Sequence, residues 1–408
     1  MLLRPLGVWP LIYGFNSKLD KIVSMILIVS CFLSELFVLL PGGYYCFFYV
    51  KDVNIKIKTF GPIFYCIACI FKYSCLTLRA STFKRCIKHI EKDWMSIENP
   101  EHRAIMIHNA MVIQKMTIAF AVLIYTSALS YHTILPVFSD SLHTEANRTV
   151  HALAVPGYEL FVDAYASPTY EIISIILGIY SFFCNSITAA SCSLVAYFVA
   201  HACGMLQIQM ARLEYLVTKD REKSDKDKTL LAVIVNGHVD ALTYSKHIST
   251  ALQELCFLEV MASTLLMCSC EYQSITGWKS RDMVLMGTYT GFMLSFTFNI
   301  LVLCHAGELL VEEAEKFSNA TYNIEWYNLP GNQALDLVIL INIARYPPKL
   351  TGGKVFEISM NTFSTVRRES FINPDSNEIS RMNMIHVIFQ VLKSSVVYLN
   401  LCRAVSEW

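Results

Sequence analysis

Cys66 and Cys69 stand three positions apart, the CxxC spacing at which a thiol pair binds zinc or cycles through a disulfide. A zinc site needs a second pair of ligands. The run around these two, Ile63 to Leu78, is apolar, so they read as free buried thiols. Asp225-Lys226-Asp227 has the DxD form of a metal-binding carboxylate pair, but it lies inside the charge cluster Lys219–Lys228 and reads as a solvated turn. His238-Val239-Asp240 is an HxD in a polar helical run and also reads as solvated. Glu308, Glu312 and Glu313 would need a cleft and a partner to act as acids; a solvated helix face is the better reading. HExxH, GxSxG, GxGxxG and a Walker lysine loop are absent, and Gly352-Gly353-Lys354 lacks the upstream glycine of a phosphate loop. Nothing here proposes a reaction, a metal or a cofactor. A different chemistry, non-covalent capture of a small apolar molecule, is carried by Phe64, Tyr65, Tyr125, Ser130, Tyr131, His132, Ile172, Ile176, Tyr180, Met286, Tyr289, Thr290 and Met293. An apolar, aromatic and Met-bearing set with a few hydroxyls is the composition of a ligand pocket, although aromatic stripes in membrane helices also serve packing.

The elements that must position this set are membrane helices. Of the 408 residues, 54% are hydrophobic and only 16% charged, and mean hydropathy is +0.43. A soluble chain of this length needs more charge to cover its surface. Lys+Arg and Asp+Glu are both 33, so there is no basic footprint of a nucleic-acid binder. A spanning helix needs about 20 mostly apolar residues. Six stretches qualify: Ile22–Leu40, Phe60–Leu78, Met116–Val137, Tyr170–His201, Leu255–Gly277 and Met283–His305. The seventh is irregular and comprises Val355–Val366, a polar interruption, and Met384–Val405. Asn332–Ala344 is too short to span and reads as a buried or partner-packing helix. The N-terminus, broken by Pro5 and Pro10, reads as a short pre-membrane segment rather than a signal peptide.

Loop charge sets the orientation. The N-terminus and loops 79–115, 202–254 and 306–354 carry 21 basic residues together, the opposite side seven. The chain is therefore expected to be an all-α membrane protein of seven transmembrane helices, N-terminus cytoplasmic and C-terminus extracellular, with helical cytoplasmic extensions. A G-protein-coupled receptor has the reverse orientation and is disfavoured. Asn147 of the sequon Asn147-Arg148-Thr149 falls outside and could carry a glycan; Asn319 falls inside and should stay bare. Polar residues within spans (Glu35, Lys72, Asn185, Glu259, Glu271, Asn299) read as scattered, with Lys72 snorkelling to the inner interface. No symmetric pair of broken helices marks a secondary transporter.

The last hundred residues carry a family resemblance. Gly307-Glu308-Leu309-Leu310, Ala320-Thr321-Tyr322, Glu325-Trp326-Tyr327-Asn328-Leu329-Pro330 and Pro348-Lys349-Leu350-Thr351-Gly352-Gly353-Lys354 followed by Phe363 resemble insect odorant receptors. So do Leu392–Leu399, His89–Trp94 and Ser167-Pro168-Thr169-Tyr170-Glu171. Tyr398-Leu399-Asn400-Leu401-Cys402 does not continue as the sister gustatory family's ending does. The resemblance implies a tuning subunit that binds a volatile odorant and joins a shared co-receptor in a heterotetrameric, odorant-gated, non-selective cation channel. Its place would be the plasma membrane of olfactory sensory neuron dendrites. It implies residues 1–306 as membrane helices with an outer pocket, 307–354 as a cytoplasmic anchor, and 355–408 as the pore helix. Tyr398, Leu401 and Val405 would face the pore, with Leu401 in a hydrophobic gate. A gustatory-type channel and, from another class, a membrane transporter are the alternatives.

Span seven departs from that family. Arg367–Asp375 reads as a helix breaker. Removing 366–390 joins Thr365 to Val391 and restores an uninterrupted helix. Val366-Arg367 can be encoded as a splice-donor-like start and Ile388-Phe389-Gln390 as an acceptor-like end. A retained in-frame intron is one reading; a genuine insertion, with Met384–Val405 spanning alone, is the other.

Overall fold

The computed structural model describes residues 3–14, 17–51, 53–138, 143–145, 148–150, 153–218, 225–324 and 331–370. Among them, six helices are long and apolar enough to cross a bilayer. They are α2 (Lys18–Tyr44), α3 (Val53–Leu78), α5 (Pro100–Leu129), α7 (Thr169–Thr218), α8 (Asp225–Ser280) and α9 (Met283–Tyr322). Five of them contain an expected span whole; the third span, Met116–Val137, begins in α5 and runs on past its end at Leu129. Shorter helices α1 (Val8–Tyr13), α4 (Ala80–Ser96), α6 (Leu135–Phe138), α10 (Gly331–Ala344) and α11 (Met360–Ser370) fill the gaps. The helix starts follow capping chemistry. Ser17 Oγ accepts the Asp20 N–H at 3.1 Å, Asn99 Oδ1 the Glu101 N–H at 2.9 Å, and Asp282 Oδ1 the Leu285 N–H at 2.9 Å.

α7 and α8 have 50 and 56 residues, so they run about 75–84 Å, more than twice the bilayer core. Their surplus forms the inner mass expected from the loop sequence. α7 ends at Thr218, where the charge cluster begins, but α8 already starts at Asp225, so the DxD stands on a first helical turn rather than in a loop. α10 packs there through Leu337, Leu340 and Ala344 against Leu213, Ile234 and Phe317. His238, expected in solvent, is buried and stacks on the Phe317 ring at 4.1 Å. The apolar turns of α8 and α9 flank it, so its surroundings override the polarity of its sequence neighbours.

α7 forms the middle of the bundle. Ala189, Ala190, Cys192, Val195, Ala196, Ala200, Ala202 and Cys203 are all buried, and their small side chains let α5, α8 and α9 approach. α2 sits at the edge and leaves Ile22, Ile26, Val29, Leu33, Leu36 and Leu40 exposed. At three- and four-residue spacing these make one continuous stripe, the face of a helix that meets lipid or a partner rather than water. The described cysteines are free. Outside the bilayer, burial pushes the Cys86 thiol up to about 11, so it stays protonated.

The intramembrane polar groups are not scattered. Lys72, expected to snorkel, is 1% exposed and pairs with Glu259 at 3.0 Å. Asn299 Nδ2 donates to Glu259 Oε2 at 2.8 Å and to Ser263 Oγ at 3.1 Å. One node thus binds α3, α8 and α9. Glu35 of α2 accepts from the thiols of Cys66 and Cys184 at 3.1 and 3.2 Å. Low dielectric punishes an unpaired charge, so distant residues converge.

Three expectations near the C-terminal side need correction. Val355–Val366 is not one helix: strands β3 (Thr351–Gly352) and β4 (Phe356–Glu357) form a hairpin first (the strands β1, His143–Glu145, and β2, Arg148–Val150, pair likewise in the outer loop). α11 then starts at Met360 and continues through Arg367–Ser370, residues of fair helix propensity placed in the breaker. The remaining breaker residues, including Pro374, and the segment Met384–Val405 lie outside the described residues. Glu308 is not merely solvated, since it accepts the Met360 N–H at 3.1 Å and caps α11. Glu313 and Glu312 both pair with Lys316.

The hairpin is seated on α8 and α9. The Gly353 N–H donates to the Gln253 carbonyl at 2.7 Å and Ser249 Oγ to the Lys349 carbonyl at 3.0 Å. Gly307 makes room for it: a Cβ there would overlap the Ile358 carbonyl oxygen. Gly307→Ala is therefore expected to lift the hairpin from α9 at a cost of about 2 kcal/mol. Thermal unfolding in detergent checks this, and an unchanged midpoint refutes the seating.

Candidate functional site

A cavity of about 70 Å³ lies in the outer half of the bundle, among α3, α5, α7, α8 and α9. Its aromatic walls are Tyr65, Tyr131, Tyr180, Tyr289, Phe292 and Phe296, completed by Gly61, Pro62, Val155, Leu266 and Cys270. Lys58, His132, Ser181, Asn185 and Ser269 add the polar share. The volume suits a compact guest, on the order of five or six water equivalents.

Local structure aims these side chains. α5 widens into a π-turn over Ser130–Ile134, which holds both Tyr131 and His132 at the cavity. Such turns shift the phase of the residues that follow. At Gly61 a Cβ would stand 2.7 Å from Ser269 Oγ, so glycine lets α3 and α8 close the wall between them. Tyr131 meets Tyr289 at 6.1 Å and Phe292 at 6.0 Å, both edge-on, and Phe296 meets Tyr65 edge-on at 5.8 Å. These are favourable aromatic geometries, and they leave ring faces and edges to a guest.

The hydroxyls are already occupied. Tyr65 donates to Asn185 Oδ1 at 3.0 Å and lies 3.1 Å from Thr188 Oγ1. Asn185 Nδ2 donates to the Ser181 carbonyl at 2.7 Å, and Tyr131 to the Ala154 carbonyl at 2.6 Å. With Tyr65, Tyr131 and Asn185 bonded within the protein, the cavity presents mainly apolar surface and does best with guests that demand few hydrogen bonds.

Of the residues expected in the pocket, Tyr65, Tyr131, His132, Tyr180 and Tyr289 line this cavity; the others stand elsewhere. Phe64 stacks on Phe60 at 5.6 Å. Tyr125 bonds Ser186 at 2.6 Å and faces a second groove toward lipid, with Trp9 and Tyr197. Ser130 ties α5 to Thr288 at 2.8 Å. Ile172 is 54% exposed, a lipid-facing position, and Ile176 is half-buried. Thr290 is exposed beside Ser274, while Met286 and Met293 are half-buried in packing. Phe292 and Phe296 were missed, although with Tyr289 they form an i, i+3, i+7 aromatic stripe that sequence spacing could have shown. Asn147, Tyr398, Leu401 and Val405 lie outside the described residues.

Comparison with known proteins places this architecture. A family model described as 7tm Odorant receptor matches residues 53–371. Odorant receptor 10 of Aedes albopictus is 24% identical over 245 residues, 59% of this chain and 61% of that protein. Odorant receptor 85b of Drosophila melanogaster is 25% identical over 146 residues, 36% of this chain and 37% of that protein. The chain thus spans less than two thirds of the length of these curated relatives. The olfactory receptor OR5 of Machilis hrabei, solved in complex with eugenol, has the same fold. The TM-score is 0.73 at 15% identity, with 96% of each chain covered. With six candidate spans and a family match over most of its length, this multi-pass membrane protein belongs to the 7tm odorant receptor family.

Proposed function

We propose that this chain is the odorant-binding, tuning subunit of a ligand-gated, non-selective cation channel that acts in olfactory transduction. The observation that carries the reading is the aromatic cavity in the outer half of the bundle, where the Tyr65 and Tyr131 hydroxyls are already bonded within the protein. A receptor of the same fold has been solved with eugenol, a small aromatic. A volatile apolar guest in this cavity would shift gating only by its preference for the open form. The channel would be a heterotetramer with a shared co-receptor, in the dendritic plasma membrane of olfactory neurons. Tyr398, Leu401 and Val405, spaced i, i+3 and i+7, would line the pore, and Asn147 would be the glycosylated position.

The test is expression with and without the co-receptor in cells that lack both. A cation current evoked by volatiles only in the paired cells is expected. Substrate flux without current would favour a transporter, and current without the co-receptor would remove the tuning role. The family match stops at residue 371, within the stretch 366–390. A form lacking residues 366–390 is therefore expected to conduct when paired, with the full-length chain giving at most a small fraction of that current. Equal currents from the two forms would refute the retained-intron reading.

A further inference from the structure

Away from the cavity, α4, α7 and α8 converge at the inner end of the bundle around His89, Asp93 and Asp240. His89 and Asp93 are one turn apart on α4, so both project from one face. Asp240 reaches them from α8. His89 Nε2 stands 3.5 Å from Asp93 Oδ2 and 3.5 Å from Asp240 Oδ2. One ligand atom from each residue lies within 4.8 Å of the others. The His89 nitrogen is buried and has no hydrogen-bond partner among the described residues.

Those separations are longer than a hydrogen bond, which runs about 2.7–3.2 Å. The two separations from His89 are close to the edge of a tetrahedron whose metal–ligand bonds are about 2.0–2.1 Å, roughly 3.3–3.4 Å. The surroundings hold the set in place. His89 stacks on Tyr244 at 4.9 Å, which fixes the imidazole plane. His201, buried on α7, contacts Asp93 Oδ2 at 2.9 Å, the placement of an outer partner that orients a ligating carboxylate. One imidazole with two carboxylates suits zinc or a similar borderline ion, whereas calcium and magnesium prefer oxygen alone.

We propose that His89, Asp93 and Asp240 bind one divalent transition-metal ion, zinc fitting best, and so clamp α4 to α8 on the cytoplasmic side, with His201 as a positioning residue. The ion leaves a fourth position to water. The site is independent of the odorant reading and would stand if that reading fell.

The experiment uses the full-length chain in nanodiscs, stripped with chelator and titrated with Co2+, then Zn2+. The visible spectrum of four-coordinate cobalt at one ion per chain, displaced by zinc, is expected. Asp240→Asn and His89→Gln should each weaken binding at least tenfold, and Asp240→His should retain it. His201→Gln should weaken it about tenfold. Asp240 is 49% exposed, so its substitution leaves the fold intact, and metal-free melting of each variant checks this. Zinc should raise the melting temperature of the wild type and leave that of Asp240→Asn unchanged. No cobalt spectrum in the wild type would mean that the three groups form an ion pair only, and would overturn the proposal. Undiminished binding in both Asp240→Asn and His89→Gln would overturn it too.

Discussion

Phe292→Ala is expected to raise the half-maximal concentration for an aromatic volatile roughly 30- to 100-fold, with surface expression unchanged. Phe292 lines the cavity, is only half-buried, and makes ring contacts with Tyr131 and Phe296. It offers no hydrogen bond whose loss could upset folding. Removing the ring takes away an aromatic contact worth about 0.5–1.5 kcal/mol beyond its area, together with the apolar area itself. The sum, about 2–3 kcal/mol, is a shift of that size, since each 1.4 kcal/mol or so is tenfold. Phe64→Ala is the control. Phe64 is also aromatic and on α3, but it packs outside the cavity and should leave the dose–response curve in place. Concentration–response currents in co-expressing cells measure both. Equal shifts in the two variants, or none in Phe292→Ala, would remove the cavity as the binding site.

The second large effect concerns assembly of the bundle. Lys72→Met leaves Glu259, fully buried, without its cation at 3.0 Å. Breaking one side of a buried pair costs about 3–5 kcal/mol, because the surviving charge stays desolvated. Surface delivery should fall at least tenfold, read by labelling intact cells. Adding Glu259→Gln to the same chain should recover most of it. The neutral amide strands no charge, and its oxygen can still accept from Asn299 Nδ2. A double variant as poor as the single one would show that Lys72 acts through packing rather than through its charge.

Much of the fold was legible because the bilayer simplifies the problem. Length and hydropathy suffice to locate six spans, and loop charge orients them. The long inner helices also declared themselves, through periodicity that outran the membrane. The cavity was harder. On α7, Ile172, Ile176 and Tyr180 are spaced four apart, and each step of four rotates about 40° around a helix. Tyr180 therefore faces the cavity while Ile172 faces lipid. On α9 the expected set of Met286, Tyr289, Thr290 and Met293 meets the cavity at Tyr289, and the rest of that face is Phe292 and Phe296. In α5 the π-turn alters the phase at Ser130, and nothing in local composition announces it. Lys72 and Glu259 are 187 positions apart, and their pairing belongs to tertiary structure. The HxD divides for a related reason: His238 is buried against Phe317, while Asp240 is 49% exposed and lies beside His89.

The hydroxyls of Tyr65 and Tyr131 and the amide of Asn185 are committed to neighbouring helices and to the Ala154 carbonyl. A wall residue such as Leu266 or Phe292 can consequently change shape without stranding a polar group. Duplicated genes built on such a scaffold are free to diverge in preference one side chain at a time, and the architecture that all the copies share is left undisturbed.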